Sequence, residues 1–239
     1  MKTTSIFFCL AFTLFSFGQS ITGPELLKKA IAYHDPNGNW TKFNDSFTVT
    51  MTSPKTSKRV SSISINLPRS YFRVNAVKDD VSTEYIINKG QCTIRLNGKT
   101  DLTDEDLKTH NLSCDRANLY KNYYTYLYGL PMKLKDQGTI VDPLVELKKF
   151  KGTSYLRLQV TYDKAVGTDV WYFYFNPKTY ALEVYQFYKT DENGLIKADS
   201  GEYILLSEIE IIKDIKIPKV RAWYYNKDNV YLGTDTLTK

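Results

Sequence analysis

The chain has 239 residues, 32 Lys and Arg against 26 Asp and Glu, and a formal charge of +6. The charges are interleaved, with Lys148-Lys149 near Glu146 and Lys78 beside Asp79-Asp80, and no Arg-rich block or nucleic-acid motif occurs. That pattern argues for solubility and against a nucleic-acid partner, and leaves room only for weak, transient contact with an anionic membrane surface.

The N-terminus reads as an export leader. Lys2 supplies a positive start, Ile6 to Phe17 is an apolar stretch, and Ser16-Phe17-Gly18 places small residues at −3 and −1 of a cleavage site. Residues 1–18 are therefore expected to be removed, with Gln19 as the new N-terminus. The apolar run is shorter than the ~20 residues a membrane-spanning helix needs. Phe8 before Cys9 does not fit a lipid-attachment site. The expectation is a periplasmic or extracellular protein, soluble after cleavage and not lipid-anchored, with residues 19–239 as one domain. Cys92 and Cys114 remain after cleavage. In an oxidising compartment they are a disulfide candidate, closing a loop of about 22 residues and worth ~3 kcal/mol. The alternative is a pair of unpaired buried thiols.

Pro24 to Tyr33 predicts a helix, with Leu26, Leu27, Ala30 and Ile31 on one face and Asp35-Pro36 as its stop. From Ser46 to Leu96 the apolar period becomes two, as in Phe47, Val49 and Met51 or Ile63, Ile65 and Leu67. Pro68-Arg69-Ser70 and Asn88-Lys89-Gly90 fit short turns, so this stretch predicts an antiparallel meander of five strands. Residues 101–135 break the pattern. Thr103 with Asp106 starts a short helix to about Thr109. Asp115 is the expected cap of a second, carrying Leu119, Tyr120, Tyr123, Tyr124, Leu127 and Tyr128 until Gly129 and Pro131 end it.

Strands resume near Val145: Tyr155–Tyr162, Val170–Phe175, Leu182–Tyr188, Glu202–Glu208 or beyond, Lys219–Tyr225 and Val230–Thr234. Val170-Trp171-Tyr172-Phe173-Tyr174-Phe175 is apolar or aromatic throughout, so both of its faces should be covered. Strand and helix do not alternate, which excludes parallel α/β folds. The reading is a mainly β (α+β) protein. A large curved antiparallel sheet of about 11–12 strands forms an incomplete barrel, and about three helices cover its concave face.

This order of elements resembles the lipoprotein-carrier superfamily typified by the LolA and LolB half-barrels. The hairpin Tyr172-Phe173-Tyr174-Phe175-Asn176-Pro177-Lys178-Thr179 is similar to a strand–turn signature that recurs there. The resemblance covers most of residues 22–235 and carries no functional residue across. It implies a half-barrel with an apolar cavity for a lipid-like ligand or a lipoprotein acyl chain. The stretches Ala32-Tyr33-His34-Asp35-Pro36-Asn37-Gly38-Asn39-Trp40 and Trp223-Tyr224-Tyr225…Tyr231-Leu232-Gly233-Thr234-Asp235 also resemble uncharacterised families of exported proteins, which implies no activity.

The sequence offers little chemistry. Its only histidines are His34, at a helix end, and His110, in a polar loop. No metal-ligand spacing, nucleophile elbow or phosphate loop occurs, so no catalytic residue, metal site or cofactor is assigned. With 19 Tyr, 12 Phe and 3 Trp, the aromatics fit either sheet packing or a ligand groove. The ligand-contact candidates are His34 and Trp40, flanking Asp35, together with Tyr120, Tyr124, Trp171 and Phe173. For the first two, helix termination with Trp40 anchoring the turn is the competing structural role. Arg73, Arg95 and Arg157 fall on polar strand faces, either solvated or within reach of a ligand anion. The expected function is an exported carrier for a hydrophobic small molecule, lipid or acyl chain. The alternatives are an envelope module that docks protein or glycan on a Tyr-rich face, and a hydrolase or lyase whose site is not recognisable in the sequence.

Overall fold

The computed structural model describes residues 21–239, so the leader expected at 1–18 lies outside the described residues. Helix α1 (Gly23–His34) begins where Glu25 accepts from both the backbone N–H and the hydroxyl of Thr22, at 2.9 and 2.8 Å. These bonds from Thr22 hold the Glu25 carboxyl below its ordinary range. Leu26, Leu27 and Ala30 form the buried face of α1, and its first turn lies so close to the edge of the sheet that a Cβ on Gly23 would strike the Asp142 carbonyl.

Five strands follow: β1 (Asn44–Thr52), β2 (Arg59–Asn66), β3 (Tyr71–Lys78), β4 (Val81–Asn88) and β5 (Gln91–Leu96). They form the expected meander, each pairing antiparallel with the next. The chain then passes through α2 (Asp104–Thr109) and α3 (Cys114–Tyr128). The second half comprises β6 (Thr139–Phe150), β7 (Thr153–Tyr162), β8 (Val170–Phe175), β9 (Leu182–Tyr188), β10 (Glu202–Ile212), β11 (Ile215–Tyr225) and β12 (Tyr231–Thr238). All twelve belong to one open antiparallel sheet in the order β5-β4-β3-β2-β1-β12-β11-β10-β9-β8-β7-β6. The last strand therefore joins the two halves beside the first, and the helical segment links the two free edges.

The position of α3 shows how far the sheet curls. Tyr124 stacks on Phe72 of β3 at 6.4 Å, while Tyr126 meets Trp171 of β8 at 5.6 Å. In a flat sheet, strands so far apart in the order would stand roughly 34 Å from each other. A single helix about 10–12 Å across touches both only because the sheet wraps around it. A disulfide between Cys92 of β5 and Cys114 at the start of α3 ties the helix to one edge.

Several details differ from the sequence reading. Two helices, α1 and α3, cover the concave face, whereas three were expected; α2 buries no residue. Ser113 caps α3 in place of Asp115, its hydroxyl accepting from the Arg116 N–H at 3.1 Å. Leu119, placed on the buried stripe, is 64% exposed, and Ala117 is buried instead. Strand β6 begins at Thr139, earlier than expected, because Asp142-Pro143 interrupts its pattern at a shift of register between Val141 and Val145. A proline is tolerated there because β6 is an edge strand with no partner on its other side. Lys213-Asp214, both at positive φ (52° and 62°), make the tight hairpin between β10 and β11, which no Asn-Gly signal announced.

The aromatic run of β8 is covered on both faces. Phe173 and Phe175 lie in the main core, with Trp171 packed against it. On the convex side Val170, Tyr172 and Tyr174 form a second cluster with Tyr155 and Val184. There Tyr174 donates to Gln186 at 2.7 Å, and Gln186 donates to Asn226 at 2.8 Å, so the buried polar atoms of that cluster are paired.

Candidate functional site

A continuous belt of aromatic rings separates α3 from the concave face. Tyr162 of β7 faces Tyr126 of α3, which meets Trp171 of β8; Trp171 faces Tyr185 of β9 at 6.2 Å. Tyr185 faces Trp223 of β11, also at 6.2 Å, and Trp223 stacks on Tyr123 of α3. The belt continues through Tyr124 and Tyr120 to Tyr85 of β4. Spacing at i, i+3 and i+4 on α3 and alternation on the strands put these rings on facing surfaces.

Two clefts border the belt. One, of about 540 Å³, opens between the end of α3 and strands β6–β8, with Tyr126, Tyr162 and Trp171 in its wall and Lys133, Asp136 and Asp169 at its polar rim. Lys133 and Asp136 form an ion pair, and the Tyr126 and Tyr162 hydroxyls are hydrogen bonded to each other. Burial pushes the Tyr162 phenol up to about 12 and raises the Asp169 carboxyl. The other, of about 170 Å³, is lined by Met51, Tyr123, Trp223, Leu232, Gly233 and Asp235. Gly233 stands opposite Trp223 across β11 and β12, so no side chain fills the space beside that ring.

Under α3, charged side chains replace the apolar lining. Arg59 of β2 pairs in register with Met51 of β1, Met51 with Asp235 of β12, and Asp235 with Arg221 of β11. This is one row across the centre of the sheet. Arg221 is 1% exposed and Asp235 3% exposed. The Arg221 guanidinium lies 3.8 Å from the Tyr128 ring centroid and donates to the Pro218 and Leu127 carbonyls at 2.7 and 3.3 Å. Tyr123 donates to Asp235 Oδ2 at 3.0 Å. Six buried atoms of this region have no hydrogen-bond partner among the described residues: Arg59 Nε, Arg221 Nε, Asp235 Oδ1 and the hydroxyls of Tyr124, Tyr128 and Tyr185. Burial raises the Asp235 carboxyl although Tyr123, Arg221 and Arg59 pull it down. Burial likewise drives the Tyr123 and Tyr128 phenols well above their ordinary value.

The sequence candidates divide between this region and another. Tyr120, Tyr124 and Trp171 lie in the belt, and Phe173 stacks on Trp171 at 6.0 Å. His34 and Trp40 are not brought to it. His34 is fully buried, with Nδ1 donating to the Lys216 carbonyl at 2.6 Å and Nε2 accepting from the Leu182 N–H at 2.9 Å. Burial lowers its pKa to about 4, so the ring is neutral. Asp35 accepts from the backbone N–H groups of Asn39 and Trp40 at 2.7 and 2.8 Å, and Trp40 packs on Phe43 and Gly129. The structural role weighed for this trio is the one its contacts describe.

Arg73 and Arg95 both bind Glu84, at 2.5 and 2.8 Å, and Arg157 binds Glu146 at 2.6 Å. Motif and spacing do not single out the inward-facing charges Arg59, Arg221 and Asp235 in the sequence. Their signal was phase: Arg59 keeps step with Ile63 and Ile65, Arg221 with Ile217 and Trp223, and Asp235 with Leu237. A charge in the apolar phase of a strand marks a buried charge.

The model of a family of unknown function, DUF6503, matches residues 2–239. No curated protein matches the chain. Among solved structures, it is similar to the LolA superfamily protein NE2245 from Nitrosomonas europaea, with 11% identity, a TM-score of 0.53, and coverage of 92% of this chain and 93% of that one. A DUF1329 family protein from Desulfovibrio piger ATCC 29098 gives 9% identity, a TM-score of 0.46, and 92% coverage of both chains. The first likeness shows a LolA-like fold.

Proposed function

Starting from the fact that the chain belongs to the DUF6503 family of unknown function, we propose that it is an exported binding protein that carries a lipid-like or acyl ligand between α3 and the concave sheet. The observation that supports this reading is the aromatic belt with a cleft at Tyr126–Trp171 and another at Tyr123–Trp223. Flat, weakly directional rings take up an alkyl chain without demanding fixed polar geometry, and a concave apolar lining with few polar groups is the usual form of such a site. Tyr120, Tyr124, Trp171 and Phe173 are the proposed contact residues, and the proposal extends to Tyr123, Tyr126, Tyr185 and Trp223, which share the belt.

Export would follow from the leader at 1–18, leaving residues 19–239 as the working domain. Among the described residues no helix is long and apolar enough to cross a membrane. A carrier of this kind shields its cargo within its own fold. Native mass spectrometry of protein purified from its host, followed by organic extraction, tests the reading. Co-purifying acyl lipid supports it. Protein that arrives empty and gains no mass when offered fatty acids, fatty alcohols or phospholipids rejects it.

A further inference from the structure

We infer that the row Arg59–Asp235–Arg221, with the hydroxyls of Tyr124, Tyr128 and Tyr185, seats the head group of the bound acyl ligand, and that this head group is a single carboxylate. The inference rests on the carrier reading above and deepens it. Its basis is the set of buried polar atoms that find no partner among the described residues. Leaving one such atom bare costs about 1–3 kcal/mol, so a group of them in one place is expensive unless something fills it.

The charge balance selects an anion. Arg59 and Arg221 bring positive charges to the row and Asp235 one negative charge, leaving a surplus of +1 where Arg221 and Asp235 are almost fully buried and Arg59 is partly buried. A monoanion neutralises that surplus; a doubly charged phosphate would overshoot it and meet Asp235 as well. The donor geometry agrees. Arg221 spends one N–H of each of Nη1 and Nη2 on backbone carbonyls and keeps its Nε–H bare. The bare donors, the Nε–H groups of Arg59 and Arg221 and the tyrosine hydroxyls, can serve the two oxygens of a small planar acid, while the bare acceptor Asp235 Oδ1 disfavours the more highly charged anion. The cleft of about 170 Å³ at Met51, Tyr123, Trp223 and Gly233 reaches Asp235. A carboxylate at the row can therefore lay the start of its chain in that cleft.

The test is calorimetric titration of the full mature protein with dodecanoate, dodecanol and dodecyl phosphate. The variants are Tyr124→Phe, which deletes one orphan hydroxyl and little else, and Arg59→Gln, each checked for native folding by circular dichroism. The expected result is dodecanoate binding at least ~10-fold tighter than either other probe, the worth of one charge-assisted hydrogen bond. Each variant should weaken dodecanoate several-fold and leave dodecanol unchanged. Equal binding of dodecanoate and dodecanol, or variants that do not touch dodecanoate, overturns the carboxylate seat while the carrier reading stands. Tighter binding of dodecyl phosphate overturns the choice of carboxylate. No binding of any probe overturns the carrier reading itself.

Discussion

Arg221 and Asp235 stand directly opposite each other on β11 and β12, on the concave face, and both are almost fully buried. Opposite charges placed in register on a sheet support each other, but here neither is saturated: Arg221 Nε and Asp235 Oδ1 remain bare. Asp235→Ala leaves the buried Tyr123 hydroxyl without its acceptor and should therefore cost about 1–3 kcal/mol of unfolding free energy, and Asp235→Asn, which can still accept from Tyr123, markedly less. Urea unfolding of the three proteins checks the ranking. Equal stabilities would mean that the row contributes nothing to the fold.

His34 sets an acid limit on stability. Its pKa is about 4 in the fold against an ordinary 6.5, because burial disfavours the charged ring. Above pH 6.5 both folded and unfolded chains hold it neutral, and its contribution is intact. As pH falls from 6.5 toward 4 the unfolded chain takes up the proton first, and about 3 kcal/mol is lost by the time the folded form is protonated. Carboxylates titrate in the lower part of this window, so His34→Gln is the proper reference. The stability advantage of the native protein over that variant should shrink steadily between pH 7 and pH 4. A constant difference would contradict a neutral, doubly hydrogen-bonded ring.

The Cys92–Cys114 bridge closes a separation of 22 residues and joins the edge strand β5 to the start of α3. Cys92→Ser with Cys114→Ser should lower the unfolding free energy by ~3 kcal/mol in the chain-entropy estimate. Because the bridge anchors one end of the helix over the belt, hydrogen exchange should also quicken first in α3. Unchanged exchange there would show that packing alone holds the helix.

Much of the fold was legible in the chain. Alternation in Phe47, Val49 and Met51 and in Ile63 and Ile65 follows directly from one buried sheet face, and the turns at Pro68-Arg69-Ser70 and Asn88-Lys89-Gly90 set the meander. The gaps have physical causes. Pro143 hid the start of β6 because an edge strand tolerates what an inner strand does not. Leu119 misled because an apolar residue next to a buried stripe need not belong to it, and it lies on the exposed side of α3.

The candidate site was legible in part. Tyr120, Tyr124, Trp171 and Phe173 could be named because aromatic side chains advertise a packed surface, although nothing in the chain shows that residues so far apart share one belt. The pairing of Arg59 with Met51, and of Asp235 with both Met51 and Arg221, depends on β12 returning beside β1. That closure is a long-range register, and local pattern does not specify it.

The central claim is that an acyl chain lies along the belt, and tryptophan quenching by a brominated fatty acid tests it most directly. Trp171 and Trp223 border the two clefts, whereas Trp40 is 5% exposed, packs on Phe43 and Gly129, and lines neither. The account predicts saturable quenching of the native protein, and none in a Trp171→Phe, Trp223→Phe variant that keeps Trp40 alone. Absence of saturable quenching in the native protein, or equal quenching of the variant with only Trp40, would contradict it.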